Sequence, residues 1–356
     1  MKERRFNKIA FIAGTLGTGG AERQLFYLLR NLKNSGYEPL VICLSKGEFW
    51  ESKIIDIGIK VIYAGENEFR FSRLLTILRI IRAEKPNLIY SFHFYTNIYA
   101  GIIGRLLWIA SLGSIRSNGI QEKNNNNKLS WFHYALPRYI ISNSEHGKRN
   151  CFAIFYKKPL FILQNAIDLE VFPYKPNQII QPHKFIFVGR FENPKQPWLF
   201  PEFIKLVHNL GIPCDGEMYG DGFLKESINN IINKEYSNYN IKIFDTERNI
   251  QNIYRTADCL VMVSHHEGSP NVVIEAMASG LIVATLKIEG ITDIITPDIS
   301  GIVENSLQKL ALKIVNLLAN DNQKKQMTES ARRSIEINHS LKAQIKNFEA
   351  ILLQLK

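Results

Sequence analysis

Two carboxylates lie eight positions apart in E-G-S-P-N-V-V-I-E-A-M-A-S-G, residues 267–280. Glu267 precedes a turn signal, and Glu275 stands among Val272, Val273, Ile274, Ala276 and Met277. A carboxylate with apolar neighbours is costly unless something pairs with it. A ribose diol supplies two donors and would meet that need. An arginine beside a capped core helix would meet it equally well. The element that must position both acids reads as a loop entering a buried helix. Ser269 suits the N-cap and Pro270 the first helical position, where a missing N–H costs nothing. Gly280 suits a left-handed stop, and residues 281–285 read as a buried strand. The free N–H groups of residues 269–272, with the helix dipole behind them, form an anion site. Glu275 then lies six residues past the cap, roughly 9 Å along the axis at 1.5 Å per residue. That is about the span from a diphosphate to its ribose.

A second group of candidates is basic. Strand 185–188 runs into G-R-F-E-N-P-K, residues 189–195, which places Arg190 and Lys195 just past a strand end. Fixed cations there could stabilise the charge that develops on a departing nucleotide diphosphate. A structural arginine–glutamate pair is the alternative. Residues 217–222, E-M-Y-G-D-G, read as a strand ending in a turn at Gly220 and Gly222.

Near the N-terminus, strand 8–13 leads into a glycine-rich loop holding Gly17, Gly19 and Gly20. A helix starting at Ala21-Glu22-Arg23 follows, and then strand 39–44. This is a β-loop-α-β unit with its loop at the strand's C-terminal end. A Walker P-loop would end in G-K-[ST], whereas Gly20 is followed by Ala21 and Glu22. A dinucleotide fold would close its second strand with an acid, whereas Leu44, Ser45 and Lys46 stand there. Those two nucleotide-binding classes are set aside. The glycines could also serve only tight strand–helix packing.

Together these residues resemble the retaining GT-B glycosyltransferases of the group 1, or family 4, type. The likeness rests on E-G-S-P-x-x-x-x-E-A-M-A-x-G and its continuation through residues 282–285, Glu289-Gly290 and Ser300-Gly301. It also rests on Arg190 with Lys195, on the G-D-G turn, and on the G-G-x-E-R start at Gly19. The resemblance implies an α/β fold of GT-B type: two Rossmann-like, doubly wound domains facing an interdomain cleft. It implies an acceptor domain over residues 1–165, a linker over 166–182 and a nucleotide-sugar donor domain over 183–356. The last helix, about 341–356, is expected to cross back to the first domain. The implied catalytic residues are Glu267, Arg190 and Lys195. The implied donor-binding residues are Glu275, Gly268, Ser269, Pro270, Asn271, Gly220 and Gly222. Gly17, Gly19, Gly20, Glu22 and Arg116 would line the acceptor side. Many relatives carry a histidine where Arg116 stands, Asn-Gly where Asn165-Ala166 stand, and glycine where Asp245 stands. His93, at another strand end, reads as a structural histidine.

Composition agrees with an enzyme of this size and bounds its partners. The 356 residues suit two domains, and 46% hydrophobic residues suffice for their cores. Four scattered cysteines outline neither a zinc site nor a disulfide framework. Without an Asp-x-Asp motif no catalytic metal or other cofactor is expected. The paired His265 and His266 read as strand neighbours whose side chains point to opposite faces, which does not suit joint chelation. The formal net charge is +11, and residues 1–180 hold 25 Lys and Arg against 13 Asp and Glu. A basic first half fits an anionic partner, or simply a soluble basic surface. The expected partners are a nucleotide-diphosphate sugar and a lipid-linked saccharide acceptor, with an anionic membrane surface alongside. No nucleic acid is expected, since no aromatic RNA-binding signature accompanies the charge.

The N-terminal apolar run is too short for a signal peptide and reads as a first strand, and no stretch of 18 apolar residues appears. The expected location is cytoplasmic, peripheral on the inner face of the plasma membrane. A helix over residues 71–83 would bury Leu74, Leu75, Leu78 and Ile81 and offer Arg73, Arg79 and Arg82 outward. The polar loop 121–128 and the aromatics 131–134 suit a membrane interface or burial against neighbouring helices. The activity expected is transfer of a UDP- or GDP-linked sugar to a polyprenyl-diphosphate-linked saccharide, in O-antigen or capsule assembly. A nucleotide-sugar 2-epimerase on the same fold, or a basic membrane- or nucleic-acid-binding protein, are the alternatives.

Overall fold

Short, almost continuously apolar runs bounded by turn residues become parallel strands, because helices cover both faces of such a sheet. A computed structural model describes residues 5–65, 69–117, 130–151, 158–175, 182–247 and 249–355. The polar loop expected at 121–128 and residues 176–181 of the expected linker lie outside them.

The chain divides into two compact units. The first comprises residues up to Ala166 together with those from Leu341 onward; the second is Ile167–Ser340. In the first unit the strands are β1 (Lys8–Ala13), β2 (Glu38–Cys43), β3 (Lys60–Tyr63), β4 (Leu88–Ser91), β5 (Ala110–Ile115), β6 (Tyr139–Ser142) and β7 (Leu160–Ile162). They form one parallel sheet in the order β3-β2-β1-β4-β5-β6-β7. Its helices are α1 (Gly20–Asn34), α2 (Phe49–Asp56), α3 (Arg70–Glu84), α4 (Asn97–Leu107), α5 (Trp131–Ala135) and α6 (Glu145–Asn150). Alternate strand residues feed two cores. Phe11, Val41 and Tyr90 face one side, and Ala10, Ile42 and Ile89 the other.

The second unit repeats the plan with β8 (His183–Val188), β9 (Cys214–Tyr219), β10 (Ile241–Phe244), β11 (Cys259–Met262), β12 (Ile282–Leu286) and β13 (Ile302–Glu304). The order is β10-β9-β8-β11-β12-β13, again all parallel. Its helices are α7 (Leu199–Asn209), α8 (Lys225–Glu235), α9 (Ile250–Tyr254), α10 (Asn271–Ser279), α11 (Leu307–Leu318) and α12 (Asp321–Asn338). Each sheet therefore reverses its strand order once, between β1 and β4 and between β8 and β11. Loops leaving the two strands at a reversal diverge to opposite faces and open a crevice at the C-terminal edge.

The final helix, α13 (Leu341–Gln354), belongs to the first unit. Phe348 stacks on Tyr90 with ring centroids 5.9 Å apart, and Ile351, Leu352 and Leu355 complete the same core. Asn31 donates to the Leu341 carbonyl at 3.0 Å, and Tyr37 donates to Glu349 at 3.2 Å. The buried Gln24 amide holds Ala166 by two 2.7 Å bonds, one to its carbonyl and one from its N–H.

Helix α3 departs from the sequence expectation in its face. Ile77, Leu78 and Ile81 are buried, while Leu74 and Leu75 are half-buried. Arg73 does not extend outward, because its Nε donates to the Gly65 carbonyl at 3.1 Å. Arg79 and Arg82 are exposed as expected.

Glu84, ending α3, ties two strands together. It accepts from Lys8 of β1 at 3.1 Å and from Lys60 of β3. Hydrogen bonds from Lys60 first, and then from Lys8, hold its carboxyl below the usual carboxylate range. A carboxyl lowered by folding stabilises the protein above its unfolded pKa and loses that contribution as pH falls through the folded value. Glu84→Gln should therefore cost about 1 kcal/mol near pH 7, a modest figure because Lys60 is open to solvent. Urea melts at decreasing pH should show the gap between variant and wild type closing below the ordinary carboxylate range.

Candidate functional site

The polar candidates of the second unit gather at the β8/β11 reversal. Strand β8 ends at Val188, and residues 189–195 climb away from the sheet to a short 3-10 turn, Asn193–Lys195. This segment is locked to the turn after β9 by backbone bonds. The Gly189 N–H donates to the Tyr219 carbonyl at 3.0 Å, and the Phe191 N–H to the Asp221 carbonyl at 2.8 Å. The buried Phe191 ring anchors it from below. The contact explains both glycines of the G-D-G turn. Gly220 has φ 153°, and a methyl group there would sit 1.9 Å from the Gly189 carbonyl oxygen. At Gly222, with φ 146°, it would sit 2.6 Å from the Phe191 carbonyl oxygen.

Strand β11 delivers the partner segment. The His265 N–H donates to the Pro194 carbonyl at 2.9 Å, which draws residues 264–267 onto the 3-10 turn. Lys195 Nζ then meets Glu267 Oε1 in a hydrogen-bonded ion pair, and the buried Ser264 hydroxyl donates to the same oxygen at 2.8 Å. Two residues that lie 72 positions apart thus form one polar centre. Arg190 does not join it. Its guanidinium pairs with Glu192 at 3.0 Å, and its side chain is 70% exposed.

Helix α10 begins one residue later than expected. Pro270 is the N-cap, with ψ 108°, and the Val273 and Ile274 N–H groups donate to its carbonyl. Pro270, and not Ser269, therefore occupies the N-cap position. Extended ψ at Pro270 keeps it outside the helix, although its ring would suit the first turn. The distance from cap to Glu275 shortens accordingly, to roughly 7.5 Å at 1.5 Å per residue. Gly280 ends the helix at φ 92°, as its type predicts. Glu275 is 4% exposed and accepts from the buried Tyr254 hydroxyl at 3.0 Å. A phenol thus supplies a donor to this carboxylate. A carboxylate has acceptor capacity beyond one bond.

The adjacent histidines also differ from expectation. The chain bends at His265 and is not extended, so the two side chains converge. Their Nδ1 atoms lie 3.1 Å apart. Burial, then His265, lowers the pKa of His266.

The first unit carries its own polar centre, at the β1/β4 reversal. Gly19 is the N-cap of α1, and Glu22 folds back over that end; a methyl group at Gly19 would meet Glu22 Oε2 at 2.2 Å. His93, just past β4, links loop and helix. Its Nδ1 accepts from the Gly14 N–H at 3.1 Å, and its Nε2 faces Glu22 Oε1 at 3.2 Å. A ring that accepts at Nδ1 carries its proton at Nε2, which makes Nε2 the donor to Glu22. Tyr95 stacks on His93, and burial followed by the Glu22 charge pushes its phenol up to about 12. Glu48 accepts from the Leu16 N–H and the Ser45 hydroxyl, and the Gly17 N–H donates to Thr15 Oγ1 at 3.0 Å. Arg116 lies over the Phe92 ring, 3.7 Å from its centroid. Gly19, Glu22 and His93 therefore form one group, with Gly20 opening α1 beside it. Of the aromatics at 131–134, Tyr134 is fully buried, while Trp131 and Phe132 are half-buried and stacked on each other.

His93, Tyr254, Ser264 and Glu48 are the participants that the motifs do not reveal. The signal for His93 is topological. It ends the strand that must lie beside β1 once the order reverses. Among the described residues no helix is long and apolar enough to cross a membrane, and no group of three His, Cys, Asp or Glu could hold a metal ion.

Comparison with known proteins adds to this geometry. The family model for glycosyl transferases group 1 matches residues 174–334, and that for glycosyltransferase family 4 matches residues 18–171. The chain is 24% identical to a Campylobacter jejuni enzyme over 96% of this chain and 99% of that one. That protein is named as the alpha-1,4-N-acetyl-D-galactosaminyltransferase of a GalNAc- and diNAcBac-containing PP-undecaprenol. It is 22% identical to an amylovoran biosynthesis glycosyltransferase of Erwinia amylovora, over 92% of this chain and 94% of that one. The crystal structure of Anabaena HepE with UDP and glucose superposes with a TM-score of 0.82, at 14% identity, covering 98% of this chain and 100% of that one.

The interlock at Gly220 yields a stability prediction. Gly220→Ala places a methyl group against a backbone carbonyl in a conformation that L residues rarely adopt. It should cost at least about 2 kcal/mol. Guanidinium melts should place that loss in the transition of the second unit.

Proposed function

The chain belongs to the group 1, family 4 glycosyltransferases and has the GT-B fold, and on that premise we propose that it moves a sugar, with retention, from a nucleotide-diphosphate donor to a lipid-linked saccharide. The observation that carries this reading is the Lys195–Glu267 pair at the strand-order reversal of the second unit. Lys195 stands ready to exchange its carboxylate for the donor diphosphate. Arg190, held only at the surface level by Glu192, can swing to the same anion, since such exposed pairs are weak. The N–H groups at the start of α10, with Gly268, Ser269, Pro270 and Asn271 shaping the approach, add uncharged donors. Glu275, which accepts from Tyr254, is the proposed ligand of the ribose hydroxyls. Gly220 and Gly222 keep the floor of the crevice at backbone height.

Release of Lys195 to phosphate frees Glu267 for the sugar, where its charge favours an oxocarbenium-like transition state. The departing phosphate oxygen then takes the proton of the attacking acceptor hydroxyl on the same face, so no separate protein base acts. The glycine loop through Gly17, Gly19 and Gly20, with Glu22, His93 and Arg116, is the proposed acceptor side. UDP is the first nucleotide to test, because HepE binds it. The polyprenyl-diphosphate acceptor is supported by the named substrate of the Campylobacter relative and by the basic first half. A product linkage with the donor's anomeric configuration, read by NMR, would support retention; the opposite configuration would overturn it.

Thermal melts with UDP, GDP, ADP and CMP test the donor reading. A diphosphate at about 100 times its dissociation constant should add roughly 2.7 kcal/mol. Glu275→Ala and Lys195→Ala should each remove most of that gain. Stabilisation by none of the four would sink the assignment.

The proposed location, peripheral on the cytoplasmic face of the plasma membrane, rests on α3. Phe69 is 89% and Phe71 70% exposed, with exposed Arg70 between them. Aromatic rings beside cations suit the headgroup layer. The double change Phe69→Ser, Phe71→Ser should abolish cosedimentation with vesicles containing phosphatidylglycerol and leave the nucleotide-induced stabilisation intact. Undiminished cosedimentation would count against this face.

A further inference from the structure

Nothing in the fold calls for a tryptophan at position 108. Trp108 is the C-cap of α4 with φ 57°, a left-handed conformation in which glycine is the usual residue and a bulky one is an outlier. The backbone alone closes the helix there, since the Trp108 and Ile109 N–H groups both donate to the Gly104 carbonyl. The indole is 96% exposed, and Leu106 beside it is 59% exposed. The strand register shows what surrounds them. Helices α3 and α4 cover the same core on one face of the sheet, and both end at its N-terminal edge. Leu88, which opens β4, pairs with Ala110, which opens β5, so the turn 85–87 lies beside the turn 108–109. Exposed Arg82 and Lys85 come from the end of α3, and exposed Arg105 from α4. Exposed Arg138 precedes β6, and its N–H donates to the Ser111 hydroxyl at 3.0 Å. Residues 70–117 hold seven Lys and Arg against Glu84 alone, and Lys8 and Lys60 already pair that acid. A surface so one-sided in charge suits an anionic partner.

We propose that Trp108, with Leu106 and the cations Arg82, Lys85, Arg105 and Arg138, enters the headgroup layer of an anionic bilayer. A protruding indole ringed by cations matches that layer, where the ring sits at headgroup level and each Lys or Arg is drawn to anionic lipid. A stable protein partner needs a broad patch of roughly 800 Å2 on each side, and two projecting side chains offer a small part of that. The inference rests on the location proposed from Phe69 and Phe71, and it sets the orientation of the first unit. Those two rings lie at the other end of α3. Phe71, Arg79 and Arg82 are all exposed, and they fall within about 80° around the helix axis at roughly 100° per residue. From Phe71 to Arg82 the helix runs roughly 16 Å. The outer face of α3 and α4 therefore lies along the bilayer and meets it with aromatic rings at both ends. One small apolar contact gives only marginal binding, as a single acyl chain does, so both ends are needed.

The test compares the full wild-type chain with Trp108→Gly, a substitution that the left-handed C-cap favours. The melting midpoint of the variant should be unchanged or higher, which separates lost binding from lost folding. Cosedimentation with phosphatidylcholine vesicles, with and without phosphatidylglycerol, reads binding. Quenching of tryptophan fluorescence by bromine-labelled acyl chains reads insertion, and the half-buried Trp50, Trp131 and Trp198 supply the baseline in both chains. Immersing about half of an indole removes on the order of 100 Å2 from water. Trp108→Gly should therefore bind the phosphatidylglycerol vesicles about tenfold or more weakly, and it should lose the quenching that wild type shows. Lys85→Gln should weaken binding about fivefold. Equal binding by wild type and Trp108→Gly would overturn this inference and leave the location proposed from Phe69 and Phe71 standing. No binding by wild type would overturn both. A concentration-dependent dimer in sedimentation velocity, abolished by Trp108→Gly, would assign the indole to a contact between copies and would also overturn the bilayer contact.

Discussion

An all-parallel sheet with helices on both faces must reverse its strand order somewhere, and that constraint organises both units. At β1/β4 and at β8/β11 the departing loops separate, and polar side chains can stand at the strand ends without cutting into either core. Elsewhere along the strands, Phe11, Ile42, Phe185 and Val261 leave no room for a charge. The Glu22–His93 group and the Lys195–Glu267 group therefore occupy equivalent places in two sheets built from unrelated residues. Each has one member from a loop that follows the central strand. The other comes from across the reversal, or from the helix that opens there.

The second unit adds a close backbone approach to that plan. Gly220 and Gly222 allow the turn after β9 to approach the carbonyls of Gly189 and Phe191 at distances that a side chain would block. The polar groups above are already paired with one another. Lys195 with Glu267, Ser264 with Glu267 and Tyr254 with Glu275 satisfy charges that would otherwise be costly at partial burial. A ligand that enters must therefore replace existing partners, and affinity reflects the difference between the two sets of bonds. An anion that takes Lys195 also releases Glu267, so binding at one residue changes the availability of the next.

Much of this was legible in the chain because the signals are short-range. Alternation of apolar runs with turn residues gives the strands, Gly280 gives the helix stop, and the glycine-rich turns mark where backbone approaches backbone. What was not legible depends on residues distant in sequence or on one torsion angle. Tyr254 reaches Glu275 because α9 packs beside α10, which nothing near Glu275 announces. His93 reads as an ordinary strand-end residue until β4 is seen to neighbour β1. The extended ψ of Pro270 moves the helix start by one residue, and a bend at His265 turns two diverging side chains into a converging pair. Arg73 looked like an outward cation, but the Gly65 carbonyl claims it.

The placement of α13 has a consequence for how the protein is made. Residues 1–166 leave the ribosome first, yet their core lacks Phe348, Ile351, Leu352 and Leu355 until all of the second unit has been translated. During that interval the Tyr90 ring and the apolar flank of α1 have no cover. The later-synthesised unit can close its own core before the earlier one does. Nascent chains stalled before residue 341 should thus expose an apolar groove on α1 of the kind holding chaperones recognise. Docking of α13, fourteen residues long, is what completes the core of the first unit.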